Sequence, residues 1–188
     1  QIYRWNAGHS YRLVPDFAAS ADPEVSFDGT HILFAGKKSP NDVWQIWESG
    51  IDGTGLRQVF SSKDDAIRPL YLPEGLIVYA SRVGKDFRLE KRPIDGGNPV
   101  LLSYAPGNAI PTDVLRDGRI LFEAAYPLGG ATPELYTVYS DGSGVESYRC
   151  DHSDARWPGR QIASGDIVFA KDEGLGRFTS PLAHEVRV

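Results

Sequence analysis

Apolar and polar positions alternate along this chain in short runs cut by glycine turns. The stretch ADPEVSFDGTHILFAGKK (21–38) sets the pattern: a run closing near Val25, the pair Asp28-Gly29, then Ile32, Leu33 and Phe34 in succession. Asp-Gly supplies the positive φ angles of a tight hairpin turn, and Ile and Phe suit a pleated, half-buried surface. The stretch therefore predicts strand, turn, strand. The same arrangement returns in PLYLPEGLIVY (69–79), PTDVLRDGRILF (111–122) and PGRQIASGDIVF (158–169). Pro23, Pro69, Pro111 and Pro158 lie 46, 42 and 47 residues apart. Each is followed by a turn pair (Asp28-Gly29, Glu74-Gly75, Asp117-Gly118, Ser164-Gly165) and by an apolar strand ending in Phe34, Tyr79, Phe122 or Phe169.

A second half follows in each of the first three units. VWQIWESGIDGTGLRQVF (43–60), FRLEKRPIDGGNPVLLSY (87–104) and LYTVYSDGSGVESY (135–148) each hold a strand, a turn around Gly53, Gly96 or Gly142, and another strand. One unit is thus four antiparallel strands, and a period in the forties with four strands per unit is the signature of a propeller blade. A plain meander or sandwich accounts for the hairpins but not for the fixed period. The expected fold is all-β: a single propeller domain over residues 1–188, with blades at about 18–60, 61–104, 105–149 and 150–188. SSKDDAIRP (61–69) and KDEGLGRF (171–178) are polar and glycine-punctuated and read as loops. Trp44 and Trp47, three apart on a strand, face opposite ways. One is expected in the core, the other more exposed, where an aromatic side chain can anchor a partner.

Composition narrows the function classes. Hydrophobic residues make up 41% and charged residues 24%, an ordinary globular balance, and 20 glycines and 13 prolines suit many short strands. The net charge of −5 argues against nucleic acid, which demands a basic face. No apolar run approaches the ~20 residues of a membrane helix, so no insertion is expected. A lone cysteine, Cys150, excludes an internal disulfide and a multi-cysteine metal site. Gln1 reads as the edge of a processed or trimmed chain, which leaves a removed signal peptide possible.

The elements Ser26-Phe27-Asp28-Gly29, Asp52-Gly53-Thr54-Gly55 and Asp141-Gly142-Ser143-Gly144 resemble the TolB-like, WD-type propeller repeat, with Phe27 where that family often has proline. The resemblance spans about residues 11–170, departing at Glu74-Gly75 and Ser164-Gly165. It implies a propeller of the kind found in periplasmic Tol scaffolds, in the caps of prolyl-oligopeptidase-type peptidases and in propeller-bearing haem enzymes. FAGKKSPNDVWQIWE is similar to propellers of hydrazine-synthase α-like proteins. A periplasmic or secreted bacterial location follows as an expectation.

Closure poses a problem. Only 19 residues follow Phe169, room for one or two strands, while SYRLVPDF (10–17) resembles a final strand such as LRQVF. Residues 1–17 are therefore expected to complete the fourth blade. Three arrangements stay open: a closed four-bladed propeller, two copies forming an eight-bladed ring, or part of a longer propeller. Open ends invite self-association.

Catalytic signatures are absent: no G-x-S-x-G, H-E-x-x-H, Walker loop, strand–helix G-x-G-x-x-G or C-x-x-C-H occurs, and no cofactor is expected. In CDHSDARW, Asp151, His152 and Asp154 form the densest polar cluster, able to hold a metal or move a proton, with Cys150 beside them. They lie in a loop between units, where polar side chains are expected anyway, so a solvated loop is the first reading. His9 and His184 would need that cluster to act, and His31 reads as structural. A second set comes from propeller geometry, since the loop entering each inner strand lies at a channel mouth. Asp22, Asp65, Arg68, Asp113, Arg156 and Trp157 are the ligand-binding candidates there, although Asp22 and Arg68 would equally serve as an ordinary surface pair. The expected role is a non-catalytic binding or scaffold module for a protein or small ligand. The competing reading is a portion of a larger enzyme whose catalytic residues lie elsewhere.

Overall fold

The computed structural model describes residues 1–104, 106–126, 132–149, 155–171 and 174–188. A hairpin of β1 (Tyr3–Asn6) and β2 (His9–Arg12) leads into four antiparallel four-stranded sheets, each built from consecutive strands. The first holds β3 (Ala19–Val25), β4 (His31–Lys37), β5 (Gln45–Gly50) and β6 (Arg57–Gln58). The second holds β7 (Ala66–Leu72), β8 (Leu76–Val83), β9 (Asp86–Pro93) and β10 (Val100–Leu101). The third holds β11 (Ala109–Val114), β12 (Ile120–Tyr126), β13 (Thr132–Val138) and β14 (Glu146–Ser147). The fourth holds β15 (Gly159–Gln161), β16 (Ile167–Lys171), β17 (Gly174–Phe178) and β18 (Val186–Arg187). The sheets are blades of a β-propeller, and the first strands β3, β7, β11 and β15 lie side by side as its inner ring.

The turns form for the reason the sequence suggests. Glycine closes the first hairpin turn of every blade at positive φ, between 70° and 94°. In several of the glycine turns an aspartate fastens the loop from its side chain. The Asp28 carboxylate accepts hydrogen bonds from the Ser26 hydroxyl (2.6 Å), the Thr30 hydroxyl (2.7 Å) and the Thr30 amide (3.0 Å). Asp52 does the same with Thr54, and Asp141 with Ser143. These bonds favour the charged form, and at Asp28 they lower the pKa to about 2.

Blade-to-blade packing supplies the core. The second strand of each blade alternates its side chains between two neighbours. Leu33 and Ala35 of β4, with Ile46 of β5, meet Ala66, Ile77 and Tyr79 of the second blade. On the other face of that blade, Val78 and Leu89 meet Ile120, Phe122 and Tyr136 of the third. Leu121 and Leu135 then meet Ile167, Phe169 and Phe178 of the fourth. Each such side chain contributes roughly 1.5–3 kcal/mol when fully buried.

Three expectations are corrected. Residues 1–17 do not complete the fourth blade. They pair as β1 with β2 and pack Ile2, Val14 and Phe17 on Ile32 and Phe34 of the first blade, while β17 and β18 finish the fourth. Residues 66–69 and 174–178 are strand, not loop, because tertiary pairing overrides their polar, glycine-rich composition. Gly176 shows why: it lies opposite Phe169, and a Cβ there would meet the Phe169 ring at 2.5 Å. That glycine makes room for an aromatic and is no loop marker. Trp44 and Trp47 do face different neighbours, the second blade and the N-terminal segment, but both are half-buried.

Gly176→Ala should lower stability by about 1–3 kcal/mol through overpacking against Phe169, seen as a reduced urea midpoint with unchanged m value. The Asp28 linkage has a definite sign. Its folded pKa is depressed, so its contribution is complete above the ordinary value of 3.8 and is lost as pH falls from there through about 2. Asp28→Asn should therefore lower stability in the neutral range, where the wild-type contribution is complete, and flatten the acid limb of the stability curve between those values so that the two proteins converge at low pH, as urea melts across pH will show.

Candidate functional site

The inner ring gathers charge at strand irregularities. In β3, register with β4 shifts between Ala21 and Glu24; in β7, register with β8 shifts between Ile67 and Leu70. Two residues of the inner strand thus oppose one of the partner, which is a bulge. Asp22 and Arg68 stand first in their bulges, each at φ 53° before a proline. A left-handed backbone is uncommon for such residues and orients both side chains out of the regular ladder. They meet across the blade boundary: Arg68 Nε lies 3.1 Å from Asp22 Oδ1, and the Arg68 amide donates to Asp22 Oδ2 at 3.3 Å.

A second set joins the third, fourth and first blades. The Asp113 carboxylate accepts from the Gln161 amide at 2.6 Å and from the Val114 amide at 2.8 Å, and lies 3.6 Å from Arg160 Nη1. The same Arg160 nitrogen donates to Glu24 Oε2 of the first blade at 3.0 Å. Arg160 therefore bridges two carboxylates, one on each neighbouring blade. Burial raises the Glu24 pKa, and Arg160 opposes that rise. Glu123, on β12, occupies the register position held by Ala35 and Ala80 in the first two blades. Burial raises its pKa as well, with Arg68 opposing, and its Oε2 has no hydrogen-bond partner among the described residues. The ring thus carries Asp22, Glu24, Asp113 and Glu123 against Arg68 and Arg160.

Of the six residues singled out from sequence, the structure joins Asp22 with Arg68 and places Asp113 in the Arg160 bridge. Asp65 lies elsewhere: it accepts from the Trp44 amide at 2.8 Å and from Arg82 Nε at 2.9 Å, tying the first blade to the second. Arg156 is 3% exposed and donates to Glu185 at 2.9 Å, beside a 2.7 Å Lys171–Glu185 pair. Burial alone would raise the Glu185 carboxyl; the bonds from Lys171 and Arg156 bring it below its ordinary value. Trp157 is half-exposed and its amide donates to Ala170. Asp151, His152 and Asp154, with Cys150, lie outside the described residues. Among the described residues no cluster of three or more His, Cys, Asp or Glu could hold a metal ion.

Glu24, Arg160 and Glu123 were not anticipated. Glu24 follows its proline by one residue, Asp113 and Arg160 theirs by two, yet they occupy equivalent places opposite Leu33, Leu121 and Val168. Bulge lengths differ between blades, so counting from proline loses register. The visible signal was a charged residue one or two positions after three of the four prolines.

No protein-family model matches the chain. Over 65 residues it is 42% identical to hydrazine synthase subunit alpha of Kuenenia stuttgartiensis, which is 35% of this chain and 8% of that one. Its structure is similar to that of Kuenenia stuttgartiensis hydrazine synthase, with TM-score 0.84 and 18% identity over 97% of this chain and 34% of the other. It is also similar to a TolB from Agrobacterium tumefaciens, with TM-score 0.74 and 18% identity over 88% of this chain and 63% of that one. A puromycin-hydrolysing peptidase of Mycobacterium tuberculosis shares the fold at TM-score 0.71 and 16% identity, over 97% of this chain and 30% of the peptidase. The chain therefore spans a minor part of the hydrazine synthase and peptidase chains. The TolB-like propeller fold is established; at these identities the structural likeness speaks to fold alone.

Because Arg160 is the cation holding the Glu24 carboxyl down against its burial, Arg160→Gln should move the Glu24 titration upward. A carbon-detected NMR titration of wild type and variant measures this, and an unmoved Glu24 would show that the bridge is not formed in solution.

Proposed function

We propose that the chain is a non-catalytic propeller module that binds a protein or small ligand at its inner ring, the blades acting as a rigid frame for the charged set. The observation that carries this reading is the convergence of three carboxylates and two arginines from all four blades on inner strands, two of them on bulges with left-handed backbone, with the Glu123 carboxylate on the neighbouring β12. Functional groups concentrate where strands are irregular and scaffolds rigid. Salt-bridged arginines and carboxylates can exchange partners with a charged ligand without large backbone movement. A periplasmic or secreted setting is part of the proposal, supported by the fold shared with TolB; no helix among the described residues is long and apolar enough to cross a membrane.

A second reading is supported by the 42% identical stretch and by the short share of the matched chain that it covers. There the module is the propeller portion of a larger enzyme, with catalytic residues outside these 188 positions. The two readings share the inner ring as the contact surface.

Affinity capture from extracts of the source cells, compared between wild type and Arg160→Glu, tests the site. A specific partner should be retained by wild type and lost, at least tenfold, on the variant. The double exchange Asp22→Arg with Arg68→Asp, which keeps the pair and reverses its polarity, should weaken capture without unfolding the chain. Capture indifferent to both would overturn the inner ring as the binding surface, and co-purification of a catalytic polypeptide would select the second reading.

A further inference from the structure

Every blade carries an aromatic side chain on its second strand, and the segment entering the blade supplies a cover for it. Phe34, Tyr79, Phe122 and Phe169 are each at most 2% exposed. The Phe17 ring stands edge-on to Phe34 at 5.3 Å, Phe60 lies 4.8 Å from Tyr79, and the Arg156 guanidinium lies 5.9 Å from the Phe169 ring. Phe122 breaks the pattern. Its aromatic neighbour among the described residues is Tyr136 at 5.8 Å, the cross-strand partner within its own blade.

The register explains the gap. Ser20, Ala66 and Ala109 hold one place on the first strands, opposite Gly36, Ser81 and Ala124. Six residues before that place stand Val14, Phe60 and Ser103; three before it stand Phe17, Lys63 and Pro106. The first two blades thus have a bulky apolar side chain in at least one of the two positions, whereas the third has only a hydroxymethyl group and a pyrrolidine. A cavity of about 210 Å³ lies there, between the second and third blades, with Ser103 and Pro106 in its wall beside Phe122, Ala109 and Ala124. Its place matches that of the Phe17 ring in the first blade. Ala124 is the register counterpart of Gly36, where a Cβ would meet that ring at 2.7 Å. Voids of this size are few in close-packed interiors.

The wall is apolar because its polar side chains are turned to the second blade. Ser103 Oγ accepts from the Leu89 amide and Asn108 Oδ1 from the Phe87 amide, both at 2.9 Å. None of the described lining residues is charged. At the rim Tyr104 is 78% exposed and Val145 48%, so a solute can enter from solvent. Ala109 and Ala124, each 4% exposed, lie recessed behind them, which favours a free molecule over a side chain tethered to a partner's backbone.

We propose that this cavity binds a small neutral molecule with a single aromatic ring, at a site separate from the charged inner strands and independent of the role assigned to them. An apolar cavity of about 150 Å³ stays dry and takes up benzene, so the volume here admits one ring with a short substituent. The bound ring takes the place that Phe17 and Phe60 take in the two preceding blades and supplies Phe122 with the dispersion contacts it lacks. A charged ligand is rejected by the cost of burying it without a partner.

The test titrates toluene into the 188-residue chain and follows backbone amides by NMR. Shifts should be saturable and centred on Ala109, Phe122 and Ala124. Benzoate and benzylammonium should bind at least tenfold more weakly than toluene. Pro106→Phe, at an exposed position, sets a ring where Phe17 sits in the first blade. It should weaken toluene binding at least tenfold while the melting temperature holds or rises. Ala124→Leu fills the cavity from its floor and should weaken binding as much; if that variant fails to fold, Pro106→Phe decides. No saturable shift at these amides, charged probes binding as well as toluene, or unchanged affinity in folded Pro106→Phe would each overturn the proposal. So would a short phenylalanine-bearing peptide binding there more tightly than toluene, which would assign the cavity to a partner's side chain.

Discussion

Everything in this molecule depends on one contact used repeatedly: an aliphatic side chain on the second strand of one blade pressed against an aliphatic–aromatic pair on the next. No blade has a closed core. Its four strands form a thin sheet whose two faces are both apolar near the middle, and a single sheet cannot bury either face alone. Stability is therefore a property of neighbours, close to a nearest-neighbour sum. This explains why Leu33, Val78 and Leu121 are sealed while Val168, chemically their equal, is not.

The same contact positions the charged ring. Because apolar packing fixes the angle between blades, inner strands from different parts of the chain converge, and side chains far apart in sequence come within ion-pair distance. Arg160 and Glu24 are 136 residues apart and meet at 3.0 Å. Partly exposed pairs of this kind add little stability, so their value lies in placing mixed charge on a rigid support. The likeness to TolB, hydrazine synthase and peptidase propellers fits this division: a shared frame, with the particular chemistry set by a few side chains.

Sequence by itself determined the repeating four-stranded unit and its turns, because those rest on local chemistry: aspartate closing its own loop, glycine accepting positive φ, and apolar residues at a two-residue period. It also marked Asp22, Arg68 and Asp113, which lie beside the repeating prolines. Tertiary structure alone decided the rest. The bulges, one or two residues out of step between blades, set which charged residues align, and so concealed Glu24 and Arg160. Gly176 looked like a loop residue until the Phe169 ring was seen to need its space. Residues 1–17 looked like the missing end of the fourth blade, yet they lie against the first, because a final strand carries the same apolar pattern whichever blade it serves. Only the three-dimensional neighbour decides which one it joins.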